Sequence, residues 1–174
     1  METRYFDIML FAKAIMIEPE INISIKRNIN LPVDKNWLES IARRVLEFEA
    51  ITSSAEIGLL ITDSNMVQRL NRIYRGEDKP TDVLTFQMTH DQSQESGELF
   101  VSPPDGIKHL GEVVISYPQA IKQAQEQYHG VTQELTLLIV HGILHLLGYD
   151  HELPREEQKM RDRENEILSF LELV

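Results

Sequence analysis

Apolar and polar residues follow two different periods along this chain. Alternation in steps of two predicts a strand over residues 21–27, and further strands are predicted over residues 54–62, 82–88, which are rich in β-forming residues, and 111–116. Spacing of three to four predicts helices that begin near Asp34, after Asp63 and at Pro118, and further helices over residues 134–147 and 155–173. Strands and helices do not strictly alternate. We therefore predict an α+β fold, with a small mixed sheet of about four strands packed against four to five helices.

Two segments lack either period. Residues 1–20 are interpreted as an N-terminal arm, and residues 89–110 as a long polar loop that is a candidate mobile lid. Residues 21–174 are predicted to form one domain, because 174 residues that are 42% hydrophobic suffice for one core and not for two. No apolar run reaches membrane-spanning length, since Lys13 interrupts residues 8–17. We expect a cytoplasmic protein with no membrane contact.

The stretch HGILHLLGYDH, residues 141–151, carries the strongest chemical signal. On a helix, His141 and His145 lie one turn apart on the same face. His151 reaches them only if the helix ends first, and Gly148 can end it because glycine adopts a left-handed conformation without strain. Three neutral imidazoles with an open fourth position are typical of a catalytic zinc. The sequence thus predicts a single Zn²⁺ on a central helix, although imidazole also suits nickel, copper and iron.

Two alternatives compete with this interpretation. The three histidines could be unrelated residues near the end of a buried helix. The spacing also matches the long zinc motif of metzincin peptidases, in which a glutamate directly after the first histidine serves as general base. Gly142 occupies that position here, so a peptidase would lack its base. The chain has no cysteine, so histidines and carboxylates must supply any metal ligands.

Charge is distributed unevenly along the chain. The net charge of −11 argues against indiscriminate nucleic-acid binding, which needs a basic surface. Residues 1–90 carry 11 Lys and Arg against 13 Asp and Glu, whereas residues 91–174 carry 6 against 15. Any phosphate-binding surface is therefore expected in the first half of the chain.

Three motifs, HGILHLLGYDH, LNRIYRGEDKPTDVLTF (residues 70–86) and GEVVIS (residues 111–116), occur in the order found in one family. Over residues 21–173 the chain resembles the YbeY family of bacterial endoribonucleases, which are single-strand-specific and act in 16S ribosomal RNA 3′ end maturation and ribosome quality control. The resemblance implies a zinc ion held by His141, His145 and His151 in a cleft, and a catalytic arginine at Arg75. It also implies ribosomal RNA, the small ribosomal subunit and its associated proteins as partners.

The chain departs from the usual family pattern in three places. Glu112 replaces an aspartate, Gln87 stands where a proline often follows the strand, and the 89–110 loop is longer than typical. The first two departures leave the histidines and Arg75 intact. The third concerns the route by which a substrate enters.

Arg75 suits phosphate because a planar guanidinium can hold two phosphate oxygens, and Arg69, Arg72 and Lys79 lie nearby in the sequence. Asp150 and Glu112 are candidate bases or carboxylates that orient the imidazoles. The remaining histidines, His90, His109 and His129, are interpreted as solvated. Three functions remain open: a nuclease, a metallopeptidase, and a non-catalytic ribosome-associated factor with a structural metal.

Overall fold

The computed structural model describes residues 18–51, 54–88, 106–151 and 153–172. These residues form one four-stranded sheet and five helices, which confirms the predicted α+β fold. The strands are β1 (Glu20–Ile25), β2 (Ala55–Thr62), β3 (Val83–Gln87) and β4 (Lys108–Ser116). The helices are α1 (Lys35–Phe48), α2 (Ser64–Arg75), α3 (Tyr117–Glu126), α4 (Val131–Leu146) and α5 (Pro154–Phe170).

The sheet is mixed, with the strand order β1-β2-β4-β3. Strands β1, β2 and β4 are parallel, and β3 pairs antiparallel with β4 at one edge. β4 begins at Lys108, three residues before the predicted strand. Lys108 and His109 pair with β2 ahead of a bulge at Leu110, and the regular pairing resumes at Gly111. Gly111 follows the bulge with φ +127°, and a Cβ there would lie 2.1 Å from the backbone oxygen of Phe86. A glycine is therefore required at this turn of the strand.

The two faces of the sheet bury very different amounts of apolar surface. Helices α1, α3, α4 and α5 pack on one face and share a large core with the odd-numbered residues of β1 and β2 and with Val113 and Ile115 of β4. Helix α2 covers the opposite face, where Val67 packs on Leu84 and Val114. We call these the α4 face and the α2 face.

Local sequence signals account for several of the helix ends. Asp34 and Asp63 accept hydrogen bonds from the backbone N–H groups of Trp37 (2.8 Å) and Met66 (2.9 Å), which satisfies unpaired donors in the first turns of α1 and α2. Gly76 ends α2 in a left-handed conformation, which glycine adopts without strain. Within the described ranges, no helix combines the length and hydrophobicity needed to cross a membrane. The proposed arm up to residue 17 and the lid segment 89–105 lie outside the described residues.

Candidate metal centre

Helix α4 delivers two of the three histidines and then ends where the sequence predicted. The rings of His141 and His145 have centroids 4.5 Å apart on one face of the helix. Gly148 has φ +91°, and its N–H donates to the His145 carbonyl oxygen at 3.0 Å. The Tyr149 N–H donates to the Leu144 carbonyl oxygen, also at 3.0 Å. This pair of bonds is a Schellman motif, which stops the helix and reverses the chain.

The reversed chain returns His151 to the other two histidines. Its ring centroid lies 5.0 Å from that of His145 and 5.9 Å from that of His141. The Asp150 carboxylate accepts the backbone N–H of His151 at 2.7 Å, which fixes this turn. One potential ligand atom of each ring lies within 4.8 Å of the others. The structure thus brings together the three histidines that the sequence singled out.

Hydrogen bonds at the far side of two rings decide which nitrogen can bind a metal. His145 Nδ1 lies 2.9 Å from the carbonyl oxygen of Tyr149, and His141 Nδ1 lies 2.7 Å from a carboxylate oxygen of Glu164. Both partners are acceptors, so each neutral ring carries its hydrogen on Nδ1 and presents a lone pair on Nε2. The two Nε2 atoms are 3.0 Å apart. Two lone pairs at this distance repel each other unless a cation lies between them, so the donor set fits a metal ion.

The electrostatic environment favours the neutral imidazole that a metal requires. Burial lowers the pKa of His145, and the neighbouring charges of His141 and His151 lower it further. On its solvent side the triad borders a pocket of about 410 Å³, lined by His141, His151, Glu157, Met160, Arg161 and Glu164. A small molecule or a phosphate group can therefore approach the histidines from this side.

Position 142 explains why this site cannot host the glutamate of a peptidase motif. A Cβ on Gly142 would lie 2.4 Å from Cγ1 of Val113 on β4, far inside van der Waals contact. Position 142 therefore faces the sheet, and α4 approaches β4 closely because no side chain is present there. A glutamate after the first histidine would be driven into the core, so the peptidase base is excluded at this position.

Arg75 lies on the other face of the sheet. It ends α2, its side chain is exposed, and it contributes to the electrostatic environment of Glu77. Its neighbour Tyr74 contacts the ring of Phe86 at 5.0 Å between centroids. Next along β3, Gln87 donates a hydrogen bond to the Leu146 carbonyl oxygen at the end of α4. Among the described residues Arg75 makes no contact with the triad.

The carboxylate that contacts the triad is not one that the sequence suggested. Asp150 binds a backbone N–H rather than an imidazole, and Glu112 lies on the α2 face against Gly58. The partner of His141 is Glu164 on α5. A signal for it exists in the sequence: Glu164 falls inside the buried stripe formed by Met160, Ile167 and Leu171. A charged residue in an apolar stripe often has a specific partner.

Two histidines that were interpreted as solvated have carboxylate partners, and that interpretation was wrong for them. His109 lies 2.5 Å from Glu56, and His129 lies 3.1 Å from the buried Glu134. Both pairs lie outside the triad. His90 lies outside the described residues.

Comparisons with known proteins agree on one family. The family model described as "Endoribonuclease YbeY" matches residues 20–172. Proteins named "Endoribonuclease YbeY" from Roseiflexus sp. (strain RS-1) and Chloroflexus aurantiacus (strain ATCC 29366 / DSM 635 / J-10-fl) are 46% and 42% identical to this chain. The alignments cover 81% and 87% of this chain, and 86% and 96% of those proteins.

A solved structure extends the agreement to the fold. The solution structure of TM1509 from Thermotoga maritima aligns with a TM-score of 0.53 at 24% identity, covering 87% of this chain and 91% of that one. At this identity the likeness concerns the fold alone. The matches in sequence cover nearly all of the described chain, and the chain therefore belongs to the YbeY family.

Proposed function

We propose that this protein is a zinc-dependent endoribonuclease that cuts single-stranded RNA in 16S ribosomal RNA 3′ end maturation and ribosome quality control. It would work in the cytoplasm, with the small ribosomal subunit and its proteins as partners. Membership of the YbeY family supports the class of reaction. The observation that carries the metal dependence is the 3.0 Å approach of two Nε2 atoms whose rings are both held at Nδ1.

In this proposal the three histidines hold the ion, and two of them have a distinct structural support. Burial lowers the pKa of His145, which favours the neutral ring that binds a metal. His141 is oriented by a carboxylate and His145 by a backbone carbonyl. Held by these residues, a zinc ion would supply positive charge able to polarise a phosphoryl oxygen and to acidify water at neutral pH. The pocket beside His141 and His151 would admit the phosphate to be cut.

Arg75 would act as a phosphate clamp at a distance from the triad. Its guanidinium can hold two phosphate oxygens at once, and Arg69, Arg72 and Lys79 add positive charge to the same helix and loop. The clamp and the histidines lie on opposite faces of the sheet, and edge strand β3 contacts both of the helices that carry them. In this proposal an extended single strand would pass around the edge of β3 and reach both. A duplex is too stiff to bend around one strand, which supports single-stranded RNA as the substrate.

Incubation of the purified protein with defined substrates tests the proposal. Single-stranded RNA, the same RNA annealed to its complement, and casein would each be incubated with and without a chelator. We expect cleavage of the single strand alone, lost with the chelator and restored by added zinc. Casein cleavage would instead support a metallopeptidase, which Gly142 already disfavours.

A non-catalytic ribosome factor is the remaining alternative. For that function the metal would be structural, so its removal would unfold the protein, and its return would restore the fold without any RNA cleavage. Cleavage of ribosomal particles alongside naked RNA separates this alternative from a nuclease that needs a structured partner. Absence of cleavage on both substrates by zinc-loaded protein would contradict the proposed activity.

A further inference from the structure

The C-terminal helix α5 places one carboxylate among its buried residues. Met160 and Ile167, four residues before and three residues after Glu164, are 2% and 0% exposed. This spacing puts Glu164 on the face of α5 that packs against α4. The side chain of Glu164 is 26% exposed, so it is largely withdrawn from water. A carboxylate in this position is costly unless a polar partner compensates it.

The partner is the first histidine of the triad. A carboxylate oxygen of Glu164 lies 2.7 Å from Nδ1 of His141, the distance of a strong charge-assisted hydrogen bond. The His141 ring is 31% exposed and stands on the solvent side of α4. Rotation about the bond to the ring is otherwise broad, and a half-turn would exchange Nδ1 with Cδ2 and Nε2 with Cε1. The hydrogen bond selects the orientation in which Nε2 points at Nε2 of His145.

The ring of His145 is oriented by a backbone carbonyl and not by a carboxylate. Its Nδ1 is held by the Tyr149 carbonyl oxygen, which belongs to the turn that ends α4 and is fixed by the backbone. His141 lies a full turn earlier, where the backbone carbonyls are used within the helix, so its orienting acceptor must come from another element. Helix α5 supplies that acceptor. The carboxylate also offsets part of the charge that a divalent ion would bring to three neutral imidazoles.

We infer that Glu164 is a positioning residue of the metal centre, which fixes the His141 ring with Nε2 toward the ion and couples helix α5 to metal binding. Glu164 itself does not ligate the ion in this assignment. The inference rests on the proposed function for the presence of a metal. It does not depend on the identity of the substrate.

The experiment compares three variants of the full chain: Glu164→Ala, Glu164→Gln and, as a matched control, Glu156→Ala. Glu156 is an exposed carboxylate on the same helix, near its N-terminus. Zinc affinity is measured by competition with a chromogenic chelator. We expect Glu164→Ala to weaken zinc binding by about 10- to 100-fold, as loss of a partner that orients a ligand typically does. Glu164→Gln keeps an oxygen acceptor at the same reach and should lose less, and Glu156→Ala should match the unchanged protein.

A second readout reports the ring orientation directly. Nitrogen NMR of the zinc-free protein at neutral pH assigns the hydrogen of His141 to Nδ1 or Nε2. We expect the Nδ1–H form in the unchanged protein and in Glu164→Gln, and a mixture of both forms in Glu164→Ala. A merely structural role for Glu164 would lower stability without moving this tautomer.

Two results would overturn the inference. One is a Glu164→Ala protein that folds, binds zinc within twofold of the Glu156→Ala control and keeps His141 in the Nδ1–H form. The other is a Glu164→Gln protein that loses as much affinity as Glu164→Ala, because charge rather than orientation would then be responsible. If Glu164→Ala fails to fold, Glu164→Gln still decides the question through its affinity and its tautomer. Zinc binding that follows these expectations in a protein without RNA cleavage would refute the proposed nuclease and leave this inference standing.

Discussion

The two faces of the sheet differ in how closely their side chains are packed and how firmly they are held. On the α4 face, four helices close a large core, and His141 and His145 are each held at the far nitrogen by a fixed acceptor. On the α2 face, three fully buried residues form the centre of the packing, and Tyr74 and Met88 remain 65% and 58% exposed beside it. Among the described residues, the face with the three histidines is therefore preorganised, whereas the opposite face leaves large apolar side chains exposed. Preorganisation suits a small ion, and an open surface suits a long, flexible ligand.

Charge follows the same division. Among the described residues, Arg69 and Arg75 form no salt bridge, whereas Arg72 lies 3.8 Å from Asp78 and Lys79 lies 3.0 Å from Glu77. Residues 64–80 thus keep a positive excess in a chain whose net charge is −11. Positive side chains without fixed partners are free to meet phosphates. In the proposed function the two faces would carry two different tasks, holding the ion and holding the RNA strand, and mutations on each face should separate them.

The largest expected effect is the loss of the ion itself. Replacing His145 by alanine removes a partly buried ligand and the 3.0 Å contact with His141. We expect zinc binding and RNA cleavage to be abolished. Zinc at 100 times its dissociation constant should stabilise the unchanged protein by about 2.7 kcal/mol, and this stabilisation should vanish in the variant. Thermal unfolding with and without zinc measures it.

His129→Ala is the matched control, because His129 pairs with Glu134 outside the triad. Its response to zinc should be unchanged. A His145→Ala protein that still gains stability from zinc would mean that the ion binds elsewhere.

The next largest effect should fall on RNA cleavage and not on zinc binding. Replacing Arg75 by alanine should leave zinc affinity unchanged and reduce RNA cleavage by about 10²- to 10³-fold, the cost typical of losing a donor to a developing charge. Arg75 makes no described contact with the triad, so the expected loss lies in turnover and not in metal content. Single-turnover cleavage and zinc content measured on the same samples test this expectation.

Arg161 provides the decisive comparison for Arg75. It lines the pocket beside His141 and His151, and its salt bridge to Glu157 (2.6 Å) is on the surface of α5. If the clamp is on the α2 face, Arg161→Ala should lower cleavage far less than Arg75→Ala. The reverse order would place the phosphate clamp on the α4 face and break the division of tasks.

Local sequence patterns predicted the parts of this centre that local geometry determines. The spacing of His141 and His145 and the break at Gly148 follow from helical geometry and from the backbone freedom of glycine, so they could be read in advance. The pairing of Glu164 with His141 could not, although the place of Glu164 in an apolar stripe was readable, because the contact spans 23 residues and depends on how α5 packs against α4. The start of β4 was predicted three residues late for a related reason. Its bulge at Leu110 exists only in the pairing with β2.

The close approach of α4 to the sheet yields a prediction about stability. Replacing Gly142 by alanine inserts a Cβ 2.4 Å from Val113, and the well-packed α4 face leaves little room for relaxation. Overpacking of this kind typically costs about 1–3 kcal/mol of the free energy of unfolding. Urea unfolding measures the cost. Displacement of α4 should also weaken zinc binding, because two ligands move with the helix.

Gly130→Ala is the control, since Gly130 directly precedes the same helix and a Cβ there meets nothing within 4 Å. Its cost should be well below that of Gly142→Ala. Equal losses of unfolding free energy at the two positions would show that the close approach of α4 to β4 leaves room for a Cβ at position 142.

The smallest expected effect is a change in how steeply the free energy of unfolding depends on pH. It comes from Glu134, at the start of α4 and away from the histidines. Burial raises the pKa of Glu134, the Asp82 charge adds to the rise, and the His129 charge opposes it. The folded protein therefore holds this proton more tightly than the unfolded chain. Its contribution to stability is full below the ordinary value of 4.5 and is lost as the pH rises through the raised pKa.

Glu134→Gln cannot lose a proton, so its free energy of unfolding should fall less over that window than that of the unchanged protein. Urea unfolding with chelator present, from pH 4 to pH 7, compares it with the exposed Glu47→Gln. Parallel pH profiles for both variants would mean that the Glu134 carboxyl is not desolvated. The close packing of the α4 face would then not extend to the first turn of α4.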